Sequence, residues 1–304
     1  MDVLIHVGYI KTGSTWLQKH FFPFVENTAC IDRRYVFNKI IKPDNENFNT
    51  EEILKYFNNF SDKNIIISQE SLIGGVFMQQ IKRNEIANRI KILFPEAKIV
   101  IFIRNQAELI SSAYSMHVKL GETRKITDYI FNKSSSSKNI SYDNFLFDFL
   151  KFDNIISLYQ NLFGINNVKV FLYEDLLADN LKFLNDFKGF YNFEIEIDSL
   201  DFNKENIRLR KKLYGVKRFS NLFTKHDLKF TGKKYIVDIP YWSYYSRKFI
   251  NNLNHFKIFG DYPTALEVLG QNNYDFICEY FKASNNELYS KFNLKDIKKY
   301  NYPL

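Results

Sequence analysis

Short apolar runs alternate along the chain with longer segments in which apolar residues recur every three or four positions. The short runs are almost continuously apolar, which is typical of strands buried on both faces of a parallel sheet, and the longer segments have helical spacing. The predicted strands are 3–7, 64–68, 98–103 and 168–172. The predicted helices before residue 200 are 14–22, 50–60, 78–94, 106–120 and 142–163, the last capped by Gly164.

This alternation predicts an α/β fold, in which a three-layer, P-loop-like parallel sheet is flanked by helices. After about residue 200 the strand signal fades and a long helical pattern at 273–292 predicts a mainly helical C-terminal part. We expect one domain over 1–304, with the α/β core at about 1–200 and a helical extension at about 201–304. The serine run at 134–137 is expected to be a surface loop.

Composition changes this picture little. Aromatic residues make up 17% of the 304 residues while Gly and Pro are scarce, which excludes a disordered or low-complexity chain. The net charge of +8 is expected to be spread over solvated faces, and nothing indicates a nucleic-acid partner. Cys30 and Cys278 form neither a disulfide framework nor a zinc spacing, and no long apolar run occurs, so a cytoplasmic protein without a transmembrane segment is expected. The oligomeric state stays open.

The first predicted strand leads directly into Gly8-Tyr9-Ile10-Lys11-Thr12-Gly13-Ser14-Thr15 and then into a helix. In this context backbone N–H groups converge on an anion. Gly8 and Gly13 have the Walker A spacing, but Ser14 occupies the position of the Walker lysine. The loop therefore indicates a phosphate site that does not perform triphosphate–Mg²⁺ chemistry.

The segment Lys11-Thr12-Gly13-Ser14-Thr15-Trp16-Leu17 resembles the 5′-phosphosulfate-binding motif of sulfotransferases that use 3′-phosphoadenosine 5′-phosphosulfate (PAPS). The resemblance implies that Lys11 contacts the phosphosulfate and its bridging oxygen. Negative charge develops on that oxygen when the S–O bond breaks, so a cation there would stabilise the transition state. By the same resemblance Thr12, Gly13, Ser14 and Thr15 would hold the 5′-phosphate, and Trp16 would be a further cofactor-binding residue.

A second anion site is predicted after the strand at 98–103, where Arg104 stands in the place of the Mg²⁺-binding Asp of many P-loop NTPases. Ser112 follows eight positions later, about two helical turns along. The 3′-phosphate motif of the sulfotransferases has this Arg and Ser at this spacing. The resemblance therefore implies that Arg104 and Ser112 bind the 3′-phosphate of PAPS without a metal ion.

Two further segments resemble the same family. Val170-Phe171-Leu172-Tyr173-Glu174-Asp175-Leu176 is similar to a strand end whose Tyr contacts the adenine, although Tyr173 could equally be a core tyrosine. The basic cluster of Arg208, Arg210, Lys211 and Lys212 lies where cytosolic sulfotransferases carry a 3′-phosphate segment. The glycine of that segment is missing, so a solvated basic face is expected there.

The resemblance also places a catalytic base after the strand at 64–68, where cytosolic sulfotransferases have a His. Here the position is Glu70, and other sulfotransferases, including carbohydrate-acting ones, use a Glu as base. A carboxylate can act as a base where a dry site raises its pKa. Asp32 is the alternative base. His6, in the first strand, is expected to be a core residue with satisfied ring nitrogens.

These motifs predict an enzyme that transfers a sulfuryl group from PAPS to a hydroxyl or amine acceptor, which is a small molecule or, preferably, a saccharide. Two alternatives remain open: a non-catalytic nucleotide-binding P-loop module, and a P-loop kinase. Ser14 and Arg104 disfavour the kinase. The non-catalytic module would keep the phosphate contacts and need no base.

Overall fold

The structure is a computed structural model that describes residues 2–74, 82–131, 145–195, 200–202, 208–225 and 235–304. The serine run at 134–137 lies outside the described residues. Within them, no helix is long and apolar enough to span a bilayer.

Five parallel strands form the sheet of the described chain, in the order β2-β3-β1-β4-β5. They are β1 (Val3–Gly8), β2 (Thr28–Cys30), β3 (Asn64–Ser68), β4 (Lys98–Ile103) and β5 (Val168–Leu172). Strand β1 lies at the centre, where Ile5 pairs with Ile67 of β3 and Ile99 of β4. In a parallel sheet the carboxyl ends share one edge, so the residues that follow β1, β3 and β4 are neighbours.

The helices of the described residues are numbered in chain order. They are α1 (Ser14–Trp16), α2 (Arg33–Val36), α3 (Thr50–Phe57), α4 (Arg83–Leu93), α5 (Gln106–Leu120), α6 (Ile126–Ile130), α7 (Phe145–Phe149), α8 (Phe152–Phe163), α9 (Tyr173–Ala178), α10 (Asn180–Phe190), α11 (Leu213–Ser220), α12 (Trp242–Leu253), α13 (Ala265–Leu269) and α14 (Gln271–Ser290). Helix α1 continues as a π-helical turn, Leu17–Phe21, and a 3₁₀ turn, Phe22–Phe24.

The chain forms two compact units. The first consists of Met1–Arg104, Lys151–Glu205 and Glu287–Tyr300, and it contains the sheet. The second consists of Asn105–Leu150, Asn206–Asn286 and Asn301–Leu304. The expectation that 1–304 behaves as one domain stays a prediction.

Phenylalanines dominate the core of the first unit. Phe102 of β4 and Phe171 of β5 stack at 5.4 Å between ring centroids, and Phe187 of α10 packs on Phe171 at 5.1 Å. Phe21 joins them edge-on to Phe187. Each fully buried aromatic ring contributes a few kcal/mol of hydrophobic stabilisation, so this cluster fixes the sheet against its helices.

The second unit has its own smaller core. Tyr114 and Val118 of α5 pack there with Leu209, Leu213 of α11 and Ile250 of α12. The Tyr114 hydroxyl donates a hydrogen bond to the carbonyl of Arg124, so the buried phenol keeps a partner.

The fold class predicted from the sequence is confirmed: a parallel α/β sheet flanked by helices, with a described C-terminal part that is helical. Helix α5 has the predicted bounds, and Gly164 ends α8 with φ at +84°. The single helix expected at 142–163 is wrong, because α7 ends at Phe149 and a separate helix begins at Phe152.

Candidate functional site

The loop between β1 and α1 has the backbone of an anion cradle. Lys11 and Gly13 adopt left-handed conformations, with φ of +67° and +88°, while Thr12 between them does not. This alternation directs successive N–H groups toward one concavity. The buried Thr12 hydroxyl donates to the carbonyl of Tyr9 at 2.6 Å and so braces the turn from inside.

Residues from three separate motifs meet at this loop. The Arg104 guanidinium donates to the carbonyl of Lys11 at 3.0 Å and lies 4.7 Å from the centre of the Tyr173 ring. A Cβ added to Gly13 would approach carbon atoms of the Tyr173 ring to 3.0 Å. The ends of β1, β4 and β5 therefore bring Lys11, Gly13, Arg104 and Tyr173 together, as the sequence predicts for neighbouring parallel strands.

Glu70 joins the same site from β3. It opens the 3₁₀ turn Glu70–Ile73, and its carboxylate accepts a hydrogen bond from the Ser14 hydroxyl at 2.6 Å. Its other oxygen accepts from the Arg33 guanidinium, also at 2.6 Å. The proposed base and a proposed phosphate ligand are thus in direct contact.

The pKa of Glu70 lies below its usual range. Burial works to raise the pKa of this carboxyl, but the Ser14 hydroxyl, the Arg33 guanidinium and a backbone N–H stabilise the charged form more strongly. The direction is opposite to the one that favours a general base. As long as Ser14 and Arg33 hold it, Glu70 is ionised but weakly basic.

Arg33 was not predicted as a site residue. Its guanidinium donates to the side-chain oxygen of Gln69 as well as to Glu70, although half of its side chain is exposed. The only signal in the sequence is its position next to Asp32, just after β2. Asp32 itself is exposed and caps α2, because its carboxylate accepts from the backbone N–H groups of Arg34 and Tyr35.

Behind the loop lies a buried histidine. Nδ1 of His6 is 2.7 Å from the Ser68 hydroxyl, and Gln18 donates both to that hydroxyl and to the Ser68 carbonyl. Nε2 of His6 has no hydrogen-bond partner within the described chain, so the expectation of two satisfied ring nitrogens is wrong for this atom. Burial lowers the pKa of His6 to about 4, against an opposing effect of Glu70. The imidazole is therefore neutral.

The ring of His6 limits which residue can end β1. A Cβ added to Gly8 would lie 2.5 Å from Nε2 of His6, so only glycine fits at this position.

Two of the predicted site residues lie in the first turn of α1. Trp16 is buried, its ring stacks with Phe202 at 5.3 Å, and its indole N–H donates to the carbonyl of Asp201. Thr15 is partly buried beside it in the first turn of α1. Any contact of Trp16 with a nucleotide stays a prediction.

Two of the predicted anion-binding features belong to the second unit. Ser112 is buried midway along α5, and its predicted contact with the 3′-phosphate stays a prediction. In the basic cluster, Arg208 forms an ion pair with Glu108 at 2.6 Å, and the buried Arg210 donates to the carbonyls of Asn254 and Gly260. These arginines connect parts of the second unit, so a wholly solvated basic face is the wrong interpretation.

Among the residues that the structure describes, no group of His, Cys, Asp and Glu side chains could hold a metal ion.

Similarity to known proteins is found in the fold and not in the sequence. No family model and no curated protein matches the sequence. The mouse sulfotransferase SULT7A1 complexed with PAP aligns with 98% of this chain and 88% of its own, at 14% identity and a TM-score of 0.50. A sulfotransferase from Alicyclobacillus acidocaldarius aligns with 73% of this chain and 94% of its own, at 18% identity and a TM-score of 0.48. The chain therefore has the α/β fold of the mouse sulfotransferase.

Proposed function

We propose that this chain is a sulfotransferase that transfers a sulfuryl group from PAPS to a hydroxyl or amine of an acceptor, preferably a saccharide. The observation that carries the proposal is the contact between its two cationic motifs: Arg104, at the end of β4, donates to the carbonyl of Lys11 in the cradle after β1. Two cations held at adjacent strand ends suit a ligand with two phosphate groups, and neither requires a metal ion.

The donor site fits an adenosine bisphosphate. The left-handed Lys11 and Gly13 shape a cradle for one anionic group, and Arg104 offers a guanidinium for another. Tyr173 presents an aromatic ring beside both. The mouse protein of the same fold was solved with PAP, the desulfated form of PAPS, which supports this donor.

The division of roles follows from the contacts. PAPS would supply the sulfuryl group, attached through a bridging oxygen to its 5′-phosphate. The side chain of Lys11 and the N–H groups of the loop would stabilise charge on that oxygen. Glu70 would take the proton of the acceptor, and Arg33 would orient its carboxylate. The preference for a saccharide rests on Glu70 in the place of the histidine base.

The low pKa of Glu70 bears on this role. Ser14, whose hydrogen bond lowers that pKa, is also a predicted phosphate ligand. If the Ser14 hydroxyl donates its hydrogen bond to a phosphate oxygen, it can no longer donate that hydrogen bond to Glu70. Binding of the donor would therefore raise the pKa of Glu70 and make it a stronger base just before transfer.

The low pKa of Glu70 also favours a second candidate function, a nucleotide-binding module without catalysis. In such a module the contacts of Glu70 with Ser14 and Arg33 would only hold the loop in place. The two candidates differ in turnover and share nucleotide binding.

The test measures both properties. Titration of PAP in the presence of a chelator should show binding that ATP does not match, and transfer of labelled sulfate from PAPS should appear with at least one member of a panel of saccharides, phenols and amines. Binding without transfer to any acceptor would support the non-catalytic module. Binding that requires Mg²⁺, or equal binding of ATP, would contradict the assignment of the site to PAPS and therefore the sulfotransferase.

A further inference from the structure

Helix α12 exposes an aromatic face. Tyr244, Tyr245 and Phe249 are 55%, 64% and 62% exposed, while Ser246 and Ile250 on the opposite side are buried. The spacing of these three rings puts them on one side of the helix, together with Tyr241 just before it. Surface helices of globular proteins normally turn a polar side to solvent, so three exposed aromatic rings on one side of this helix are unusual.

Neighbouring elements of the second unit extend this face. The N–H groups of Ile236 and Ile239 donate to the carbonyls of Leu222 and Phe223, which follow α11. Phe223 also packs against exposed Phe219 of α11 and against Trp242 of α12. We define the aromatic surface as the exposed side chains of Phe219, Ile236, Tyr241, Tyr244, Tyr245 and Phe249.

The chain around the aromatic surface is strongly basic. Ranges 211–225 and 235–258 contain eight lysines and arginines but only one acidic residue, Asp238, whereas the whole chain has a net charge of +8. Lys248 follows Tyr244 by four positions and lies on the same face of α12, and Arg247 is exposed next to it. The two ranges that carry the aromatic surface therefore have a clear excess of positive charge, of which Arg247 and Lys248 are exposed on α12 itself.

The combination of exposed apolar side chains and positive charge indicates which partner the aromatic surface binds. A second copy of the chain would bring two faces of like charge together, which disfavours a self-complementary interface. A nucleic acid would bind the cations but leave aliphatic side chains such as Ile236 in water. An anionic bilayer satisfies both, because tyrosine rings and aliphatic groups partition into the interfacial region while Lys and Arg contact lipid phosphates.

We propose that the aromatic surface binds the chain peripherally to an anionic lipid bilayer. Tyr241, Tyr245 and Phe249 enter the interface, Lys248 on the same face contacts the headgroups, and the exposed Arg247 adds to the positive charge of the helix. Binding at this surface requires no sulfuryl transfer, so it can be tested independently of catalysis.

The experiment is co-sedimentation of the full chain with vesicles at physiological salt. Vesicles of phosphatidylcholine alone are compared with vesicles of equal parts phosphatidylcholine and phosphatidylglycerol. We expect sedimentation with the anionic vesicles and little with the neutral ones. Inorganic phosphate should not release the protein, since the apolar contacts require a bilayer, whereas high salt should weaken binding.

Two variants separate the apolar and the electrostatic contributions. Tyr245→Ser/Phe249→Ser and Arg247→Glu/Lys248→Glu should each weaken partitioning by roughly tenfold or more. The matched control is Leu181→Ser/Lys182→Glu on α10, which changes an exposed apolar side chain and an exposed cation elsewhere and should partition like the wild type. All four side chains in the test variants are exposed, so their unfolding midpoints should match that of the wild type.

Three results would overturn the proposal. The wild-type chain could fail to sediment with anionic vesicles, or both test variants could sediment as well as the control. The third is a concentration-dependent dimer that Tyr245→Ser/Phe249→Ser dissociates, since the surface would then be an interface between copies of this chain.

Discussion

At the scale of single residues, Glu70 shows how a carboxylate can be placed for catalysis and yet held at low basicity. Its two oxygens accept from Ser14 and Arg33, which are the first residues of α1 and α2. The sequence predicts Glu70 at the shared strand edge because it follows a buried strand. It does not predict Arg33, since the contact joins residues 37 positions apart and depends on where the unpredicted β2 ends.

The first residue-scale prediction concerns the base. Glu70→Gln keeps the size and hydrogen-bonding capacity of the side chain but cannot take a proton, so kcat should fall about 10²- to 10⁴-fold while PAP affinity changes little. Steady-state kinetics and titration of PAP measure the two quantities. The control is Asp32→Asn, which preserves the cap of α2 and should leave kcat near normal. A loss of turnover in Asp32→Asn alone would assign the base to Asp32.

The second residue-scale prediction concerns the 3′-phosphate. Arg104→Ala should weaken PAPS binding by about 1.5–3 kcal/mol, the value of a charge-assisted hydrogen bond, and change adenosine 5′-phosphosulfate little. Only PAPS has the 3′-phosphate. Competition titrations with both ligands measure the difference, and Arg34→Ala, an exposed arginine on α2, is the control. Equal weakening of both ligands would mean that Arg104 acts only by supporting Lys11 and Tyr173.

At the scale of elements, the sequence predicts the strands and helices whose bounds are determined by local apolar periodicity. Strands β3, β4 and β5 and helix α5 have the predicted bounds because their apolar periodicity is continuous. Strand β2 has only the three residues Thr28–Cys30 and is defined by its pairing with β3, so no local signal reveals it. The turn at Leu150 that separates α7 from α8 interrupts a pattern that is helical on both sides.

The loop after β1 yields a prediction at this scale. Gly13→Ala puts a Cβ on a left-handed residue and within 3.0 Å of the Tyr173 ring, so it should cost roughly 1–3 kcal/mol of stability and weaken PAP binding. The control is Gly189→Ala near the end of α10, where a Cβ meets nothing within 4 Å and alanine should be neutral or stabilising. Thermal unfolding and PAP titration measure both. Unchanged PAP affinity in Gly13→Ala would mean that the exact loop conformation does not matter for binding.

At the scale of the whole molecule, buried polar groups connect the site to the pH dependence of folding. His6 lies in the central strand, bonded to Ser68 two residues before Glu70, and it stays neutral because burial lowers its pKa from 6.5 to about 4. In the unfolded chain the same imidazole takes up a proton below pH 6.5. The unfolded state therefore binds more protons between these two values, and the folded state loses stability as the pH falls through this window.

The last prediction follows from the difference between the pKa of His6 in the folded and in the unfolded chain. Between pH 7 and pH 5 the wild type should lose roughly 2 kcal/mol of stability through His6, since one pKa unit corresponds to about 1.4 kcal/mol. His6→Asn keeps a hydrogen-bonding side chain beside the Ser68 hydroxyl but does not titrate, so its loss over the same range should be smaller by that amount. Denaturant unfolding in a Trp242→Phe background measures this, because Trp16 then reports on the core of the first unit. Exposed His255 supplies the control, and an equal pH dependence of His6→Asn and His255→Asn would show that His6 is not kept neutral by folding.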